Sequence, residues 1–97
     1  MSGNIETIEG AINRRFFMVI HALSASGSVT SLSGFCIEHG FSASAYRELR
    51  LEFGVTPAPG YVSRYRTVSI AALHYLVLNY GVSGDWLLSG KGQMFLR

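Results

Sequence analysis

Charged side chains, cysteine and long apolar runs are all scarce in this 97-residue chain. Charged residues make up 14% of it, against about 25% in an average soluble domain, while hydrophobic residues reach 48%. The low charge indicates that some apolar surface remains for a partner. The single cysteine, Cys36, excludes an intrachain disulfide and favours a reducing compartment.

The absence of two targeting patterns limits where the chain could reside. No apolar stretch approaches the roughly 18 residues of a transmembrane helix, and the N-terminus lacks a basic segment followed by an apolar run. We therefore expect a cytoplasmic protein without a membrane partner. The length is enough for one domain, and the net charge of +2 with a pI of about 9.0 is compatible with an anionic partner.

Apolar periodicity and capping residues predict an all-α domain of five helices. The first spans about 5–25, with Asn4 as its cap, and residues 1–11 form an N-terminal helical extension. The others are predicted as 31–39 ending at Gly40, 43–53 opened by Ser42, 70–80 between Ser69 and Gly81, and a short helix after Ser83 that carries Trp86. Residues 54–68 contain both prolines and are predicted to be a loop. The tail is the one possible strand.

The segment HGFSASAYRELR, residues 39–50, has the outline of a helix-turn-helix. In that motif the second helix enters the DNA major groove and presents its N-terminal residues to base edges. Small residues at its first turn would allow the close approach that this requires. Ala43, Arg47 and Arg50 would form one outward stripe, with Ser44 and Glu48 beside it, and Tyr46 and Leu49 would point into the core.

Three segments resemble the Cro and phage-repressor-like (XRE-type) regulators. FCIEHGFSASAYRELR (35–50) is similar to their helix-turn-helix, and YGVSGDWLLSGKGQMF (80–95) is similar to the ending of many such domains. INRRFFMVIHAL (12–23) resembles the first helix of a Bacteroidetes-type branch. The resemblance implies a five-helix lambda-repressor-like fold, with the helix-turn-helix at 31–53 and the C-terminal helices and tail at 69–97. It also implies a bacterial protein that associates with the nucleoid.

The sequence departs from that family at two positions. Leu32 or Ser33 stands where the family often has a glutamine that contacts a phosphate. Ala43 stands where the family often has a glutamine that pairs with adenine, and an alanine can at most touch a thymine methyl.

The residues expected to contact DNA lie on the third helix and in the loop after it. Arg47 would reach a base edge or a phosphate, and Arg50 a phosphate, unless both belong to a solvated helix face. Arg64 and Arg66 could reach flanking phosphates, or they could simply be solvated side chains of the loop. The complete predicted set is Ser42, Ala43, Ser44, Arg47, Glu48, Arg50, Arg64 and Arg66.

Nothing in the pattern indicates catalysis. His21, His39 and His74 lack metal-site spacing, and no phosphate-binding glycine loop is present. Cys36 is interpreted as a small buried hydrophobe. We expect no enzyme activity, no metal or other cofactor, and no small-molecule ligand.

The fourth helix is apolar nearly all round. Ile70, Leu73, Leu76, Val77 and Tyr80 are assigned to its core face, and Ala71, Tyr75 and Leu78 to the opposite face. A helix with two apolar faces is usually buried on both. The sequence therefore predicts a homodimer through Tyr75, Leu78, Met94 and Phe95, unless the first helix folds over this face.

Two functions are consistent with these features. The first is sequence-specific binding of double-stranded DNA by a small dimeric, repressor-like transcriptional regulator. The second is a helical protein-interaction or dimerisation module on the same fold, with weak or no specific DNA binding.

Overall fold

A computed structural model of the chain describes residues 6–96, and within that range the secondary structure consists of five α-helices and no named strand. They are α1 (Ile8–Ser26), α2 (Leu32–His39), α3 (Ala43–Phe53), α4 (Ile70–Tyr80) and α5 (Gly84–Ser89). The all-α prediction is confirmed. The tail makes one isolated antiparallel bridge, between Val82 and Phe95.

The first helix begins later than the sequence predicts. Thr7 is its N-cap, and the Thr7 hydroxyl accepts a hydrogen bond from the Gly10 amide at 2.9 Å. The predicted cap, Asn4, lies outside the described residues. Ile8 is exposed, so the apolar stripe of α1 starts further along the chain than expected.

Serine side chains cap the other four helices of the described chain. The hydroxyl of each accepts a hydrogen bond from the amide three residues ahead, an arrangement that stabilises a helix by about 1 kcal/mol. The capping residues are Ser31, Ser42, Ser69 and Ser83. The predictions for Ser42, Ser69 and Ser83 are confirmed.

Phe16 lies at the centre of the core. Its ring makes edge-to-face contacts with Phe17, Phe35 and Tyr46 at centroid distances of 5.0, 5.9 and 5.7 Å. These contacts join α1 to α2 and α3 through the geometry that aromatic pairs favour. Cys36 is fully buried among the same helices, as predicted.

Helix α5 packs against α1. Trp86 and Leu87 are buried there. Arg15 donates from Nε to the Leu87 carbonyl at 2.7 Å and from Nη2 to the Leu88 carbonyl at 3.2 Å. Arg15 therefore supplies partners for carbonyl groups at the C-terminal end of α5.

The predicted core face of α4 is wrong at two positions. Ile70 is 83% exposed and Val77 is exposed as well, while Ala72 and Leu76 are buried. Tyr75 was assigned to the outer face but stacks on His39 of α2, with ring centroids 4.5 Å apart and an interplanar angle of 23°. This stacking orients α4 with Tyr75 toward α2 and leaves Ile70 and Val77 in solvent.

None of the helices within residues 6–96 combines the length and apolarity needed to cross a membrane.

Candidate nucleic-acid interface

A tight turn joins α2 to α3. Gly40 has a left-handed φ of 82°, and its amide contacts the Cys36 and Ile37 carbonyls at the end of α2. The Phe41 amide also donates to the Cys36 carbonyl at 2.7 Å. A glycine accepts this φ without steric cost, so the chain can reverse and start α3 at once.

The first turn of α3 is small, capped and exposed. The Ser42 hydroxyl accepts from the Ala45 amide at 3.2 Å and lies 3.3 Å from the Ser44 hydroxyl. Both serines are exposed, whereas Ala43 is half-buried against the core. The prediction that Ala43 points outward therefore needs correction, because its methyl group packs partly inward.

Arg47 and Arg50 lie beside the N-terminal end of α2. Arg47 is exposed and donates from Nη1 to the Ser33 hydroxyl at 3.0 Å. Arg50 is also exposed and lines a cavity of about 400 Å³ together with Ser31 and Leu32, where α2 starts. The Arg47 guanidinium thus lies at the positive end of the α2 dipole, and the Arg50 side chain lines the cavity beside it.

The pKa of the Cys36 thiol is affected by the same two arginines. Burial raises the pKa of the Cys36 thiol, while the charges of Arg47 and Arg50 act in the opposite direction. Burial is the larger effect, so the thiol is held in its neutral form.

The loop after α3 is fastened to α3 by two ion pairs. Arg64 pairs with Glu48, with a shortest contact of 2.9 Å between Nη2 and Oε1. Arg66 pairs with Glu52 at 3.3 Å and also donates to the Ser63 carbonyl at 2.7 Å. The arginines predicted from the sequence as phosphate contacts are therefore already paired with carboxylates of α3.

The pKa of Glu48 is strongly shifted by its surroundings. Hydrogen bonds from the Arg64 side chain, and next from the Arg64 backbone amide, lower the pKa of Glu48 to about 2. The same pairing raises the pKa of Arg64. Glu48 was predicted to contact DNA, but the structure places its carboxylate against the loop instead.

Asn13 is a buried polar residue that the sequence analysis did not select. Its Nδ2 donates to the Arg66 carbonyl at 2.8 Å, and its Oδ1 accepts from the Val68 amide at 2.9 Å. These bonds fasten the end of the loop to α1. The sequence signal that could have identified Asn13 is the presence of a polar residue within the apolar stripe of α1.

Ser33 and Glu52 were also missed as members of this surface. Ser33 accepts a hydrogen bond from Arg47, and Glu52 accepts one from the Ser63 amide. In both pairs the partners are more than ten positions apart in the chain. No local pattern indicates such pairs.

The predicted dimer residues are distributed differently from the expectation. Leu78 is 64% exposed, but Tyr75, Met94 and Phe95 are half-buried against the core. The apolar surface lies instead in a groove of about 380 Å³ between α4 and α5, which we call the α4–α5 groove. Its lining residues are Ile70, Leu73, His74, Val77, Gly84, Leu87 and Leu88.

No group of three or more His, Cys, Asp or Glu residues within positions 6–96 is arranged to hold a metal ion.

No protein-family model matches this chain, and no curated protein or solved structure matches it either.

Proposed function

We propose that this protein binds double-stranded DNA through α3 and the N-terminal end of α2. The observation that carries the proposal is that two arginines of α3 lie near the start of α2: Arg47 donates to Ser33, and Arg50 lines a cavity with Ser31 and Leu32. Arginine donors at a helix N-terminus suit a phosphate because both the charge and the dipole favour an anion.

In this proposal α3 enters the major groove with its first turn leading. The exposed hydroxyls of Ser42 and Ser44 approach base edges or the backbone, and no bulky side chain in that turn keeps the helix away. Arg47 contacts a guanine or a phosphate, and Arg50 contacts a phosphate. The resemblance to phage-repressor-like regulators supports the same orientation.

The proposed working unit is a homodimer that acts as a repressor-like regulator. The α4–α5 groove is predominantly apolar, and Leu88 at its edge is 60% exposed. A second copy packed on this groove, with Leu78 nearby on α4, would remove that surface from water. Two copies of α3 would then read half-sites about 34 Å apart.

The second candidate function is a protein-interaction module on the same fold. The α4–α5 groove favours it, because contiguous exposed apolar surface commonly marks a binding site for another protein. In that case Ile70, Val77 and Leu88 would determine function, and the arginines of α3 would not.

The test compares Arg47→Ala and Arg50→Ala with wild type in fluorescence-anisotropy titrations of a labelled duplex. Arg47→Ala should lower the binding free energy by about 1–3 kcal/mol if Arg47 reads a guanine. Lys91→Ala is the matched control, since it removes one positive charge from the exposed loop after α5. Equal affinities for all four proteins would reject the assignment of α3 as the DNA-binding element.

A further inference from the structure

Arg64 uses only one edge of its guanidinium group to hold Glu48. Its Nε lies 3.2 and 3.1 Å from the two carboxylate oxygens, and its Nη2 donates to Oε1 at 2.9 Å. Guanidinium carries five N–H donors in a fixed planar fork. Within the described residues Nη1 makes no hydrogen bond, so one edge of the group remains available.

The pair is asymmetric in its exposure to solvent. The side chain of Arg64 is 77% exposed, whereas that of Glu48 is 15% exposed. Glu48 also accepts from the backbone amide of Arg64 at 3.1 Å. The negative charge is therefore covered by the protein, and the outward-facing group is the cation.

The segment that carries Arg64 is fastened on both sides. Glu52 accepts from the Ser63 amide at 2.8 Å, and Asn13 binds the backbone at Arg66 and Val68. The Arg64 guanidinium also lies over the Tyr65 ring, 5.4 Å from its centroid. Ordering a side chain before binding reduces the entropy lost when a ligand arrives.

From this geometry we propose that Glu48 is a positioning residue, which holds the free edge of Arg64 ready for a DNA backbone phosphate flanking the sequence read by α3. The inference rests on the proposed function. A planar fork can bind a carboxylate along one edge and a phosphate along another, which an ammonium group cannot do with the same geometry.

The competing explanation is that Glu48 merely neutralises Arg64. The two explanations predict opposite signs for Glu48→Gln. Loss of a positioning contact weakens DNA binding, whereas loss of a neutralising charge frees the guanidinium and strengthens binding. The sign of one substitution therefore separates them.

The experiment measures duplex affinity over a range of salt concentrations for wild type, Glu48→Gln, Arg64→Ala and the double variant. Glu38→Gln, which removes an exposed carboxylate from α2, is the charge control. Arg64→Lys keeps the charge but lacks the fork. Circular dichroism and thermal melting establish that each variant is folded before its affinity is compared.

We expect Glu48→Gln and Arg64→Ala each to weaken binding several-fold. Each should also reduce the log–log salt slope by about 0.9 per protomer, and so by about 1.8 for the proposed dimer, as for the loss of one phosphate contact in each copy. A merely structural role would leave that slope unchanged. Glu48→Gln should have no further effect once Arg64 is alanine, and Arg64→Lys should bind less tightly than wild type.

Unchanged or tighter binding by Glu48→Gln overturns the inference and leaves the proposed function standing, because wild type still binds DNA. Failure of wild type to bind any duplex overturns both.

Discussion

Asn13 shows how one buried side chain can place a segment of the candidate interface. It is fully buried in α1, and both ends of its amide bind the backbone of the segment after Arg64. A buried backbone group without a partner costs about 1–3 kcal/mol. The orientation of Arg64 and Arg66 thus depends on a residue more than fifty positions earlier.

Asn13→Ala should therefore destabilise the protein by about 1–3 kcal/mol for each backbone group left without a partner. Urea denaturation measures the change in unfolding free energy. Asn79→Ala, at an exposed site on α4, is the matched control and should change stability by less than about 0.5 kcal/mol. Equal stability of the two variants would show that Asn13 does not hold the loop.

Glu48 should make folding stability depend on pH in the acid range. Its pKa falls from 4.5 to about 2 on pairing with Arg64, so its contribution is complete above pH 4.5 and is lost as the pH falls toward 2. Melting temperatures between these values should decline more steeply for wild type than for Glu48→Gln.

Arg64→Ala should flatten the same profile, because it removes the main cause of the lowered pKa. Parallel profiles for wild type and both variants would contradict the pairing in solution.

At the scale of elements, the capping of α3 sets where its exposed first turn begins. Ser42→Ala removes the hydroxyl that accepts from the Ala45 amide and should lower the unfolding free energy by about 0.5–2 kcal/mol. Ser44→Ala removes a nearby exposed hydroxyl that caps nothing, and serves as control. Chemical denaturation distinguishes the two, and equal losses would argue against Ser42 as the cap.

Helix positions were predictable from the sequence because their signals are local. The apolar periodicity of α3 and its flanking Ser42 and Gly40 lie within a few residues, and the predicted span 43–53 agrees with the structure. The start of α1 was less predictable, since Thr7 and the earlier Asn4 are both acceptable capping residues.

The orientation of α4 was not predictable in the same way. An all-round apolar helix contains no contrast that selects one face. The selection comes from His39, which stacks on Tyr75 from another helix. Likewise, the sequence indicated Arg64 as a cation but not its partner Glu48, because charge pairing across a loop leaves no periodic pattern.

For the molecule as a whole, oligomeric state decides how many copies of α3 can meet DNA. We expect multi-angle light scattering at micromolar concentration to give the mass of a dimer. Leu88→Lys should shift the mass to that of a monomer by placing a charge in the α4–α5 groove, and the exposed site should preserve the fold.

Val62→Lys, at an exposed site in the loop after α3, is the control and should remain dimeric. A monomeric mass for wild type would reject the dimer and leave the α4–α5 groove open to a different partner.

The central claim is that α3 reads a DNA sequence. The most direct measurement is selection of bound duplexes from a randomised library, at low and at physiological salt. The account predicts enrichment of a palindrome with half-sites about one helical turn apart. Binding without any enriched motif, and lost at physiological salt, would contradict it, since only general attraction to phosphates would remain.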